Sequence, residues 1–66
     1  MKIEVNGKWM EISGKPTVAG LIEELRLDLK STAVAVNKTI VPRNSYKETI
    51  LNENDMLDLV TVAPGG

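Results

Sequence analysis

The chain has 66 residues, eight Lys or Arg against nine Asp or Glu for a net charge of −1, and neither Cys nor His. Disulfides, zinc sites built on Cys or His, thiol nucleophiles and imidazole acid-base chemistry are therefore excluded, and the balanced charge with only two aromatics gives nucleic acid no basic footprint and no stacking platform. A chain this short makes one domain that buries about 60% of its unfolded surface; it shows no apolar run long enough for a membrane and no signal-peptide pattern, so a cytoplasmic location is expected.

In chain order, Met1 to Val5 alternates apolar and polar residues, Asn6-Gly7 follows, and Lys8 to Ile12 resumes the alternation. Asn-Gly between alternating runs predicts a hairpin with a type I′ turn, because both central residues must take positive φ. That turn fixes the register: Val5 opposes Lys8, Glu4 opposes Trp9, Ile3 opposes Met10 and Lys2 opposes Glu11. Met1, Ile3, Val5, Met10 and Ile12 then share one face, and Lys2, Glu4, Trp9 and Glu11 share the other.

After the break at Ser13 to Pro16, Thr17 is placed to cap a helix with apolar residues at Val18, Leu21, Ile22 and Leu25, the stripe of a helix lying on a sheet. Gly20 inside it costs about 1 kcal/mol against Ala, which a close approach to the sheet would explain. Asp28 to Thr32 reads as a loop. Ala33 to Val36 and Thr39 to Val41 are short strands around an Asn37-Lys38 turn, and Pro42 ends the second. Arg43 to Thr49 reads as irregular or a single helical turn, Asn52 to Asp55 as a turn, and Met56 to Val62 as the last strand. Hairpin, helix and then further strands predict an α+β domain over residues 1–62, with one main helix on a mixed sheet of four to five strands.

Residues 63–66, Ala-Pro-Gly-Gly, read as a flexible C-terminal tail. Gly loses the most conformational freedom on ordering, and Pro64 removes a donor and biases Ala63 toward extended backbone. Four extended residues reach roughly 13 Å. From these residues alone, a tail that enters a partner's active site and a frayed end are equal readings.

The segment Val36-Asn37-x-x-Ile40-Val41-Pro42-Arg43, followed by Tyr46, the Asn54-Asp55 turn and Gly65-Gly66, resembles the sulfur carrier proteins of thiamine biosynthesis, and the resemblance runs over the whole chain. It implies a ubiquitin-like β-grasp fold and a carrier that is not itself an enzyme. The resemblance implies that an E1-like adenylyltransferase, using ATP and Mg²⁺, adenylates the Gly66 carboxylate. A sulfur donor protein then displaces AMP to leave a Gly66 thiocarboxylate, and a thiazole synthase takes the sulfur. Gly65 keeps the approach to Gly66 free of side chains. No stably bound cofactor, nucleic acid or membrane partner is implied.

Two departures from the family pattern stand in the sequence. The turn before the last strand reads Glu53-Asn54-Asp55 where Gly is usual in the middle, and Pro64 directly precedes Gly-Gly. The ending also fits a carrier for molybdopterin, tungstopterin or another pathway, or a ubiquitin-like protein modifier joined through Gly66.

Four further residues are candidate docking positions, each with an ordinary alternative. Trp9 is either an exposed anchor or a ring lying over Lys2 and Glu4. Val60 and Val62 form either an outer apolar patch that docks enzymes or ordinary sheet burial. Arg43 either meets an acidic enzyme surface or is solvated.

Overall fold

The computed structural model of the protein describes residues 1–14 and 16–61. Strands β1 (Lys2–Val5) and β2 (Lys8–Glu11) are followed by helix α1 (Val18–Glu24), strands β3 (Thr32–Val36) and β4 (Thr39–Ile40), a 3-10 turn over Arg43–Ser45 and strand β5 (Met56–Thr61). The first hairpin has the register its turn predicts, from Lys2 opposite Glu11 to Val5 opposite Lys8. Asn6 and Gly7 supply the positive φ angles of 50° and 84° that this turn requires. Asn37 and Lys38, at φ 50° and 69°, turn the second hairpin in the same way.

The sheet has the order β2-β1-β5-β3-β4. β5 lies at its centre, parallel to β1 and antiparallel to β3. Parallel pairing of β1 with β5 needs a crossover connection, and the segment holding α1, β3 and β4 provides it. Ile3, Val34, Leu57 and Leu59 from the sheet meet Val18, Ala19, Leu21 and Ile22 from α1 in one core, which Ile12, Val41, Tyr46 and Leu51 complete.

Thr17 caps α1 as its position predicts, its hydroxyl accepting from the Gly20 amide at 3.0 Å. The helix ends one residue short of the full apolar stripe. Leu25 is its C-cap, Arg26 takes φ 60°, and bonds from Arg26 N–H to the Glu23 carbonyl and from Leu27 N–H to the Ile22 carbonyl close the end in a Schellman pattern. The close approach expected at Gly20 is not there. A Cβ on it would meet Thr17 Oγ1 at 3.4 Å and Pro16 Cβ at 3.7 Å, both local and neither in the sheet. Thr32, expected in a loop, instead opens β3 and is fully buried.

These helix ends make one prediction. Gly20→Ala removes a glycine from a helical position without a packing reason for it, and Arg26→Gly puts glycine where the backbone is left-handed. Each should raise stability by about 0.5–1 kcal/mol, seen as a higher urea midpoint at unchanged slope.

The loop into β3 is built on Asp28. Its carboxylate accepts from the Ser31 hydroxyl at 2.9 Å and the Lys30 amide at 3.2 Å, and its carbonyl accepts from the Thr32 hydroxyl at 2.7 Å. The Ser31 bond first, then the Lys30 amide, with weaker help from the Lys30 and Arg43 charges, hold this carboxyl below its ordinary pKa against a smaller opposing effect of burial. A carboxyl depressed in the folded state contributes stability above its unfolded pKa and loses it as pH falls through the folded one. Exchange protection of the Lys30 amide, which this carboxylate accepts, should therefore fall below about pH 4. Asp28→Asn should flatten that dependence.

Candidate functional site

The outer face of the sheet, away from α1, is where apolar side chains remain uncovered. Inward positions of β3 are Thr32, Val34 and Val36, so Ala33 and Ala35 point outward, and on β5 the burial of Leu57 and Leu59 turns Met56, Asp58 and Val60 outward. Strand pairing sets Ala33 beside Val60, and Ala35 between Asp58 and Ile40. The two alanines are small, so they floor a groove of about 220 Å³ between Ile40 and Val60, with Asp58 as its charged member. Ile40 is 79% and Val60 60% exposed. A contiguous apolar patch of this kind marks an interaction surface, because isolated exposed apolar residues are ordinary and a grouped, grooved set is not.

The groove lies at the end of β5 from which residues 62–66 continue. Asn6 holds that end: its side-chain amide donates to the Leu59 carbonyl at 3.2 Å and its side-chain oxygen accepts from the Leu59 amide at 2.8 Å, extending the β1 ladder by one residue. At the start of β5, Asn37 does the same for Met56, accepting its amide at 3.0 Å and bonding Asp55 Oδ1 at 3.1 Å. Asn54 turns the chain into β5 at φ 69°. Asn tolerates that geometry, which is how this chain does without the glycine usual there.

The sequence candidates are not gathered in one place. Val60 lies in the groove and is exposed, so ordinary sheet burial does not describe it. Trp9, 54% exposed, stands on the same face but two strands away, level with Glu4 and Met56 and so four residues back along β5, roughly 16 Å from Val60. Arg43 is exposed on the 3-10 turn and lines a different groove, on the helix side. Val62, Gly65 and Gly66 lie outside the described residues. Ile40, Ala33 and Ala35 were missed as groove residues. For the two alanines the alternation of β3 puts small residues at both outward positions, but that they line one groove with Ile40 and Val60 shows only in the strand pairing.

Among the described residues no group of Asp and Glu is placed to hold a metal ion, and no helix is long and apolar enough to cross a membrane. What the described residues offer here is an apolar groove on the outer face of the sheet.

A mixed five-stranded sheet of this order, gripping one helix and leaving an apolar outer face, defines a ubiquitin-like β-grasp protein. The chain belongs to the ThiS family, whose model matches residues 3–66. It is 33% identical to the sulfur carrier protein ThiS of Escherichia coli over the full length of both. It is also 38% identical, over its whole length, to a thiazole synthase of Paramagnetospirillum magneticum, and spans 20% of that protein. The crystal structure of a thiamine biosynthesis protein ThiS from Geobacter metallireducens superposes over all of both chains with a TM-score of 0.85, and at 23% identity shows the shared fold. ThiS-like sulfur carriers are small protein carriers rather than enzymes.

Proposed function

We propose that the chain carries sulfur as a thiocarboxylate on Gly66 and delivers it to a thiazole synthase. The observation that supports this most is that the family match runs through residue 66, so Gly65-Gly66 falls inside the matched segment. The thiazole synthases of Paramagnetospirillum magneticum and Magnetococcus marinus contain a segment that aligns with the whole of this chain over about a fifth of their length, which favours a thiazole synthase as recipient.

The chemistry starts from a poor electrophile. A carboxylate is stabilised by resonance, so an oxygen of Gly66 must first attack the α-phosphorus of ATP. Pyrophosphate leaves, Mg²⁺ in the E1-like enzyme balances the phosphate charge, and an acyl-adenylate forms. Sulfide-level sulfur, released by the donor protein as hydrosulfide, then attacks the acyl carbon; the bond from that carbon to the adenylate oxygen breaks, AMP departs with one carboxylate oxygen, the sulfur loses its proton, and the thiocarboxylate remains as the cargo. All catalytic groups belong to the partners. This chain supplies the side-chain-free Gly65-Gly66 segment and the surface that positions it, with Val60 and the Ala33, Ala35 and Ile40 groove along β5 as the docking face. Trp9, Arg43 and Val62 are further candidate contacts for the partner enzymes.

Incubation with the E1-like adenylyltransferase, Mg-ATP and the sulfur donor should raise the intact mass by exchange of one oxygen for sulfur. Thiazole synthase should then return the chain to its starting mass. An unchanged mass after the first step overturns the carrier reading, and consumption by a pterin synthase alone overturns the choice of recipient.

A further inference from the structure

A second groove, of about 320 Å³, opens on the helix side of the sheet. Ala19 from α1, Leu29 from the loop before β3 and the Tyr46 ring make its floor, and Lys30, Arg43 and Lys47 stand around it. Three of the chain's eight cationic side chains thus surround one apolar concavity on a protein whose net charge is −1. The ion pair found among the described residues joins the Met1 amino group to Glu11, so none of the three is engaged there. Asp28 is the carboxylate that senses Lys30 and Arg43, and it is already bonded to the Ser31 hydroxyl and the Lys30 amide. The rim stays net positive.

The groove is tied to the root of the tail. Buried Tyr46 donates its hydroxyl to the Thr32 carbonyl at 2.8 Å, and Thr32 pairs with Thr61, the last described residue of β5. An enzyme that engages the chain beyond Thr61 therefore has this groove within reach of the strand it follows. The groove is open along one side, whereas small-molecule sites cover 70–90% or more of their ligand, and three cations without stacking partners are too small a footprint for nucleic acid. An extended protein segment fits better: one apolar side chain over Ala19, Leu29 and Tyr46, with carboxylates on either side reaching Lys30, Arg43 and Lys47.

We propose that this groove receives an acidic segment, carrying an apolar anchor between its carboxylates, from the enzyme that takes the tail, which on the reading above is the adenylating enzyme. It is distinct from the outer face, because β3 separates the two surfaces. Contacts at the basic groove are salt-sensitive, while those at the apolar face are not.

Two measurements test this. In the adenylation assay, the double reversal Arg43→Glu with Lys47→Glu should raise KM for the carrier by about tenfold, with the effect on KM rather than kcat and a weaker dependence of KM on salt. Both residues are exposed, and a native circular dichroism spectrum checks the fold. Lys8→Glu, at the β2 edge, should match the parent chain. An unchanged KM in the double variant overturns the assignment, and so does an equal loss in Lys8→Glu. Independently of adenylation, an acetylated, amidated Glu-Asp-Leu-Glu-Asp peptide added to ¹⁵N-labelled protein at low salt should shift the amides of Ala19, Leu29, Lys30, Tyr46 and Lys47, and lose this effect in the double variant. Absent or scattered shifts overturn the groove. Failure of the parent chain to be adenylated would remove the proposed function, and the peptide result alone would then decide the groove.

Discussion

Leu57→Ala should cost the chain about 3–4 kcal/mol of stability, seen as a large fall in its urea midpoint. Leu57 is 1% exposed on the central strand, opposite Val5 of β1 on one side and Val36 of β3 on the other. Removing a buried leucine side chain costs the transfer free energy of its methyl and methylene groups and leaves a cavity, together about 3–4 kcal/mol. A domain of this size has a total stability of about 3–10 kcal/mol, so the loss is comparable with the lower part of that range. No disulfide limits the unfolded chain. Val60→Ala on the same strand is the companion: its side chain is mostly exposed, so stability should change by no more than about 0.5 kcal/mol while the outer groove loses a wall. Urea unfolding followed by circular dichroism separates them. A Leu57→Ala cost below about 1 kcal/mol would mean that the core closes over the gap.

Much of this architecture was legible because the deciding signals were local. Asn6-Gly7 set the first hairpin and its register, Thr17 set the start of α1, and the alternation in Met56 to Thr61 put Leu57 and Leu59 on one face and Asp58 and Val60 on the other. What escaped depends on partners distant in sequence. Tyr46 and Leu51 lie in a stretch that has no period, yet both are buried, Tyr46 by its bond to Thr32 and Leu51 beside the Pro16 carbonyl that accepts its amide. Asn6 and Asn37 read as turn residues, and their side chains turn out to extend the ladders of β5 at its two ends. Gly20 shows the reverse error: a glycine in a helix invited a packing explanation that the surrounding atoms do not supply. The candidate site divides along the same line. Val60 could be assigned to the outer face by counting along β5, whereas its companions Ala33, Ala35 and Ile40 needed the pairing of three strands.

Adding a single alanine after Gly66 should abolish oxygen-for-sulfur exchange while leaving the fold and the docking surfaces unchanged. The proposed reaction uses one group, the carboxylate of Gly66, and an extension turns that group into an amide whose carbonyl carries no nucleophilic oxygen for ATP. The new terminal carboxylate sits one residue further out, by about 3.5 Å, and the reacting atoms of an adenylation must meet at roughly 3–3.5 Å. A displacement of one residue is therefore as large as the whole reactive distance. Gly65→Val should act through access rather than chemistry: the carboxylate stays in place, but a branched side chain crowds the channel that a bare backbone passes, so the exchange rate should fall by at least about a hundredfold. The two variants also separate the competing functions. A module that only binds partners would keep its affinity in both, and a protein modifier would lose conjugation in the extended form without ever showing the mass change in the parent chain. Intact mass spectrometry of all three chains after identical incubation decides the matter: sulfur incorporated by the extended chain would rule out the Gly66 carboxylate as the carrier group.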